Sequence, residues 1–385
     1  MFDITLSRRK IVTVAALVML AGCRVVPKAP VTVAPPPPDK PSATALPADQ
    51  LRHRVALLVP ISGPNAAVGQ ALANATTMAL LDTNAADLRV TTYDTATGPA
   101  AAATRAIADG NKLILGPLLG DDVAAVAQIA RPARVPIISF SNDGAVAGRD
   151  VFIMGSLPSQ SITRTVNWAR AQGVKRFAAL LPEGEYGMRA GAALSSAVAE
   201  AGGTLVTTAS YSRGNTSIVS AAQRIKAKGG YDAVLIADSG RFAVQAAPQL
   251  RATGTLTPRL LGTELWSGDT PVANSAALRG AWYASMSDGR FARYAESYKA
   301  RFGAAPHRIS TLGYDAVLLT LRVARDWKPG ALFPTARLYD PQGFLGVDGP
   351  LRFGENGMVE RAYEVVELRQ AGVTVVSPAP AGFGK

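Results

Sequence analysis

Val55-Ala56-Leu57-Leu58-Val59-Pro60-Ile61-Ser62-Gly63, with Gly69 following, is the stretch on which the reading of this chain turns. Five consecutive apolar residues closed by Pro and Gly describe a short strand with no polar face, the kind buried on both sides of a parallel sheet. An Ala-rich segment after it, about Gly69 to Asp82, has the length and composition of a covering helix. The same alternation continues outward: strand near Leu88 to Tyr93, helix near Ala100 to Ala108, strand Leu113-Ile114-Leu115, helix from about Asp121 to Ala130, strand Val135 to Phe140. One doubly wound half is thereby complete.

A second series follows Val151-Phe152-Ile153-Met154. A helix near Ile162 to Ala171 leads to Phe177-Ala178-Ala179-Leu180-Leu181, and then helices near Met188 to Ala201, Ile218 to Lys228 and Phe242 to Ala252 alternate with strands near Thr204 to Ala209, Ala233 to Ala237 and Arg259 to Leu261. The fold class expected is therefore α/β, with two Rossmann-like lobes. Beyond them, helices near Phe291 to Arg301 and Thr311 to Arg325 and strands near Gly349 to Phe353 and Ala362 to Leu368 are too few for a third sheet with its own covers. They are expected to return and complete the two lobes.

The N-terminus reads differently. Arg8, Arg9 and Lys10 precede an uncharged apolar run from Ile11 to Ala21 that is too short to span a bilayer, the pattern of a secretory signal over residues 1–22. Leu20-Ala21-Gly22-Cys23 resembles the bacterial lipobox, and Ser7-Arg8-Arg9 resembles part of a twin-arginine signal, so either export route is open. Cys23 is the one cysteine of the chain, and the resemblance makes it the lipidation site and Arg24 an outer-membrane address facing the periplasm. Membrane association is thus expected through lipid alone, since several acyl chains on one sulfur suffice for stable anchoring. Residues 23–50, with Pro35-Pro36-Pro37-Pro38 at their centre, compose an extended tether. The formal charge of +12 becomes 12 − 2 = +10 once Asp3, Arg8, Arg9 and Lys10 leave with the signal. Such a balance favours acidic partners, while the lack of basic runs interleaved with aromatics argues against nucleic acid.

Taken in order, Ala56 to Gly63, Leu115-Gly116-Pro117-Leu118, Val135-Pro136-Ile137-Ile138-Ser139, Leu312-Gly313-Tyr314-Asp315-Ala316 and Gly346-Val347-Asp348-Gly349-Pro350-Leu351-Arg352-Phe353 resemble the type I periplasmic binding proteins, in their leucine-binding-protein-like branch. That resemblance implies two lobes joined by three crossings around a central cleft. It places the first lobe at about 54–157 with 286–342 and the second at about 158–285 with 343–376.

Ligands of doubly wound sheets sit beyond the carboxyl ends of the strands, where loops enter helix N-termini. The candidate cleft residues are accordingly Ser62, Asp121, Ser139, Ser141 and Asn142 on the first lobe, and Tyr186, Asp238, Glu264 and Trp266 on the second. By the resemblance, Ser139, Ser141 and Asn142 supply polar groups, Glu264 stands where an ammonium-binding carboxylate is expected, and Tyr186 and Trp266 form apolar walls. Leu118-Leu119-Gly120-Asp121-Asp122 departs from the family pattern, because its carboxylates occupy the positive end of the helix dipole and a ligand carboxylate would meet repulsion of a few kcal/mol. Each residue also has a plainer reading: Asp121 and Asp122 as a capping pair, Ser139 and Ser141 as turn caps, Glu264 as a solvated loop residue, Trp266 as packing at the hinge.

No catalytic constellation is expected. The two histidines are His53, beside the tether, and His307, after Pro306, both read as exposed loop residues. The chain contains no Walker loop, dinucleotide fingerprint or nucleophile elbow, and neither cofactor nor metal is anticipated. Glu183 and Glu185 flank a pliable glycine and point apart. Two non-enzymatic functions remain. One is a penicillin-binding protein activator, a lipid-anchored family of this fold that stimulates peptidoglycan synthases, to which the tether, the altered loop and the basic charge correspond. The other is a lipid-anchored solute-binding protein that passes an amino acid of the branched-chain type to an ABC permease. Replacing Cys23 by Ser should move the protein from the membrane to the soluble fraction, and mass analysis of the native N-terminus finding an unmodified thiol would refute the anchor.

Overall fold

A computed structural model describes residues 52–251 and 257–383; the expected signal, Cys23 and the tether lie outside these residues. In chain order the first layer comprises β1 (His53–Val59), α1 (Ala66–Asp82), β2 (Leu88–Asp94), α2 (Pro99–Ala108), β3 (Leu113–Leu115), α3 (Gly120–Ala130), β4 (Ile137–Ser139) and β5 (Val151–Ile153). Its strands form an all-parallel sheet in the order β2-β1-β3-β4-β5. The second comprises α4 (Pro158–Ala171), β6 (Arg176–Pro182), α5 (Glu185–Glu200), β7 (Thr204–Tyr211), α6 (Ser217–Lys228), β8 (Ala233–Ile236), α7 (Gly240–Leu250), β9 (Arg259–Gly262), α8 (Thr270–Asn274) and β10 (Trp282–Ser285). There follow α9 (Asp288–Phe302), α10 (Thr311–Ala324), β11 (Phe344–Gly346), β12 (Gly349–Phe353), β13 (Val359–Arg361), β14 (Glu364–Arg369) and β15 (Gly372–Ser377). The second sheet runs β15-β14-β10-β9-β8-β6-β7, with β14 and β15 antiparallel at one edge.

Alternation along β1 explains why its sequence has no polar face. Val55, Leu57 and Val59 enter the core shared with α1 and α10, while Ala56 and Leu58 enter the core under α2 and α3. All five are fully buried. Strand β6 repeats the device, Ala178 and Leu180 facing the α6–α7 side and Phe177 and Ala179 the α4–α5 side. Each fully buried Leu or Phe contributes roughly 1.5–3 kcal/mol relative to exposure, so these two central strands anchor their lobes.

Three crossings join the sheets: residues 154–157 after β5, 286–287 after β10, and 362–363 after β13. The last differs from expectation. Residues 344–361 form a small antiparallel sheet, β11-β12-β13, whose Phe344, Leu351, Phe353 and Val359 pack into the first lobe's core beside Phe152, so only β14 and β15 of the 343–376 segment join the second sheet. The hydrophobic alternation of Gly349 to Phe353 names a strand but not the sheet it serves, and the aromatic contact of Phe353 with Phe152, centroids 5.4 Å apart, settles that. His53 also departs from its reading as a loop residue: it begins β1, is buried, and stacks on Trp327 with ring centroids 4.2 Å apart. His307 is exposed as expected.

Each lobe has the same kind of tight strand-to-helix junction. The first turn of α1 lies against the carbonyl of Pro60, so a Cβ on Gly69 would come within 1.9 Å of that oxygen; in the second lobe a Cβ on Gly187 would come within 1.6 Å of the Pro182 oxygen. Both obstacles are backbone, which has no rotamer in which to give way. Gly69→Ala and Gly187→Ala should each lower stability by about 1–3 kcal/mol through overpacking, measured by chemical denaturation, whereas Gly289→Ala, with open space around it, should not.

Candidate functional site

Between the carboxyl ends of the two sheets lies a cavity of about 380 Å³. The first lobe contributes Leu118 and Leu119 from the β3–α3 loop and Phe140 and Asn142 from the segment after β4. Glu264, Leu265 and Ser267 come from the turn after β9, and Ser156 and Met286 from two of the crossings. Arg308 and Ile309 from the short turn before α10 and Thr311 at its start, with Asp348 from the β11–β12 turn, close it.

Glu264 is the anionic feature of this wall. It opens a short helical turn whose preceding Thr263 caps the Leu265 N–H, and it is 5% exposed. Ser161 donates to its Oε2, and the Tyr186 hydroxyl donates to Oε1 at 3.2 Å. Burial pushes its carboxyl above the ordinary carboxylate range, against the pull of those two hydroxyls. Tyr186 is itself driven upward, first by burial and then by the charge of Glu264. The reading of Glu264 as a solvated loop residue is therefore overturned by burial, and Tyr186 stands behind it as a donor rather than as an apolar wall.

Other expected residues are committed elsewhere. Asp238 is buried but saturated by the Tyr211 hydroxyl at 2.6 Å, Arg213 Nε at 2.8 Å and Nη2 at 3.0 Å, and the Ser239 N–H at 2.7 Å. Trp266 is fully buried in the second lobe's core, its indole N–H donating to the Asp238 carbonyl at 2.8 Å, and it does not line this cavity. On the first lobe, Ser139 Oγ donates to the Pro117 carbonyl at 2.9 Å and accepts from the Ser141 N–H, while Ser141 Oγ accepts from the Asp143 N–H at 3.0 Å. These are turn caps. Ser62 is exposed, donates to Asp94 at 2.6 Å and lines a separate depression with Thr97 and Asp122. Asp121 is exposed in the first turn of α3, and Asp122, half-buried, has its carboxyl raised by burial and by Asp121. The cavity thus brings together Asn142 and Glu264 from the expected set, with Tyr186 behind the latter.

Sequence reasoning missed the cationic side. Arg308 lies between Asp348, with Nη2 2.9 Å from Oδ1, and Asp288, and its guanidinium also donates to the carbonyls of Met286 and Ser287 at 3.4 and 3.5 Å. Thr311 donates to the second oxygen of Asp348. Across the lobes, Arg189 of α5 reaches Asp143 at 3.1 Å and Asn142 at 3.4 Å. Beneath the cavity Asp315 accepts the Val347 N–H at 2.7 Å, and Gly346 is required beside it because a Cβ there would lie 2.2 Å from Oδ2. Arg361 of β13 donates to the Met154 carbonyl at 2.6 Å and ties the first crossing to the small sheet. A single Asp inside the otherwise apolar helix Leu312 to Ala316 and an Asp between Gly346 and Gly349 were the available signals. No group of His, Cys, Asp and Glu among the described residues is arranged to hold a metal ion.

A family profile described as periplasmic binding protein matches residues 53–373. An uncharacterized protein of Rickettsia prowazekii (strain Madrid E) is 32% identical over 140 residues, which cover 36% of this chain and 38% of that protein, so the match spans well under two thirds of the relative. A leucine binding protein of Thermotoga maritima MSB8 superposes with a TM-score of 0.65 at 20% identity, covering 86% of this chain and 98% of that one. A solute binding protein of an ABC transporter from Rhodopseudomonas palustris BisB5, in complex with 3,4-dihydroxy benzoic acid, superposes at 0.67 and 21% identity over 87% of this chain and 98% of its own. At these identities the likeness is one of fold.

Burial, and then the neighbouring charge of Asp348, raises the Asp315 carboxyl from 3.8 to about 7, against the Val347 N–H and the Arg361 guanidinium. Because the folded value exceeds the unfolded one, the stability this group contributes is full below about pH 4 and lost as pH rises through about 7. The span corresponds to on the order of 4 kcal/mol. Asp315→Asn should flatten that part of the stability curve in denaturation measured across pH, and an unchanged slope would assign it to other groups.

Proposed function

The chain belongs to the periplasmic binding protein family, and from that premise we propose that it captures a small organic solute of amino-acid size between its lobes and passes it to an ABC permease. In this reading it works from the periplasmic face of the outer membrane, held there by lipid on Cys23. Family membership implies a periplasmic or extracellular location.

The observation that carries the reading is a buried carboxylate, Glu264, at the wall of an otherwise largely apolar cavity between two sheets. A volume of about 380 Å³ suits a ligand of this size. Apolar side chains from both lobes supply the affinity surface, and the few polar groups supply orientation. The matching solute binding protein of Rhodopseudomonas palustris is a component of an ABC transporter and holds a small acid, which agrees with capture as the task. Peptidoglycan-synthase activation is the second reading, favoured by the lipobox-like Leu20 to Cys23 and by the Pro-rich tether.

A thermal-shift series on the full-length chain in detergent separates the two. At least one solute among amino acids, aromatic carboxylates and organic amines should raise the midpoint, since ligand at about 100 Kd adds about 2.7 kcal/mol to the folded state. Glu264→Gln should abolish that shift without lowering the unliganded midpoint. No shift with any class, together with co-purification of a peptidoglycan synthase, would replace transport by activation.

A further inference from the structure

We propose that the solute held in the cleft is an apolar organic amine that carries no carboxylate. The inference rests on the solute-binding reading and narrows it to a chemical class.

The cavity offers an anion and withholds a cation. Glu264 has hydroxyl partners, Ser161 and Tyr186, and among the described residues no Lys, Arg or His forms an ion pair with it. Arg308 is the one cation among the described lining residues, and its guanidinium is engaged at its edges and on one face: Asp348 and Asp288 hold its nitrogens, and its Cζ lies 4.0 Å over the Phe291 ring. Counting Glu264 and Asp348 against Arg308, the lining sums to −2 + 1 = −1. A net negative, low-dielectric wall favours an ammonium and repels a carboxylate.

The first lobe strengthens the argument. A ligand carboxylate entering a doubly wound lobe would be met by a helix N-terminus and by loop hydroxyls. Here the protein's own acids stand around that position, none of them capping the helix, and Asp143 is paired with Arg189 at 3.1 Å. The carboxylate of Asp143 lies against the first residue of α3, close enough that a Cβ on Gly120 would sit 3.4 Å from Asp143 Oδ2. Asp121 and Asp122 occupy the first turn of the same helix. The hydroxyls of Ser139 and Ser141 are used by the Pro117 carbonyl and by backbone N–H groups of the loop itself. What this lobe presents to the cavity instead is hydrocarbon, from Leu118, Leu119 and Phe140. The surface complementary to these two walls is an ammonium at one end and an apolar body at the other.

Isothermal titration of the full-length chain with matched ligands tests this. Isopentylamine, L-leucine and isocaproate share one branched skeleton, and phenethylamine, L-phenylalanine and hydrocinnamate share an aromatic one; within each set only the ammonium and carboxylate differ. At least one amine should bind at least about tenfold more tightly than its amino acid, with no heat from the matching carboxylate. Glu264→Gln should weaken that amine by at least about tenfold, with an unchanged circular dichroism spectrum. Asp143→Asn, by removing the carboxylate that lies beside the first residue of α3, should narrow the gap between amine and amino acid. An amino acid or a carboxylate binding as tightly as the amine would overturn the inference and leave the solute-binding reading standing. Absence of heat from all six ligands would overturn the inference, and absence of any thermal shift across the wider solute series would remove the solute-binding reading with it.

Discussion

Arg308 sits between the carboxylates of Asp288 and Asp348 while donating to the carbonyls of the second crossing, and most of the site's geometry follows from that placement. Asp348 is 3% exposed, so neither member of that pair can be removed without leaving a charge in a medium that solvates it poorly. Breaking one partner of such a pair typically costs about 3–5 kcal/mol even where the intact pair contributes little net stability. The effect is therefore one of position. Asp348 stands on the turn between β11 and β12, Asp288 at the start of α9, and Met286 and Ser287 on the crossing out of the second sheet. One guanidinium gathers all three at the floor of the cleft.

Because that cation is committed to the hinge, the cavity is left with a surplus of negative charge and a large apolar surface. The same logic recurs on the first lobe, where Asp143 lies beside the first residue of α3 and pairs with Arg189 from the opposite lobe. Ion pairing here holds the joints, and the cavity wall keeps the hydroxyl-bonded Glu264 and the hydrocarbon around it. An apolar wall with a few polar groups is the usual composition of a small-molecule pocket.

Much of the architecture was legible without coordinates. Val55 to Val59 and Phe177 to Leu181 are central strands because residues apolar at both parities have nowhere to lie except between two helical layers. Glu264 was legible as a cleft candidate from its place after the strand Arg259 to Leu261, and it does line the cavity. Asp238 and Trp266, which share the topological position of a cleft residue, were not separable from it, since Tyr211 and Arg213 satisfy the first and a close-packed core encloses the second. Ser139 and Ser141 lie at the right loop, yet their hydroxyls answer the loop's own backbone, a choice made by turn geometry that residue type does not encode.

The sequence alone determined which segments are strands and helices and that they alternate in two doubly wound series. Those properties are local: periodicity, apolar run length and turn residues act over a few neighbours along the chain. The tertiary structure decided that residues 344–361 complete the first lobe, that Arg308 pairs with Asp288 and Asp348, and that Glu264 is buried with no ion pair among the described residues. Each of these depends on pairs separated by tens to hundreds of residues, whose charges compete for partners only after burial has removed water as the alternative.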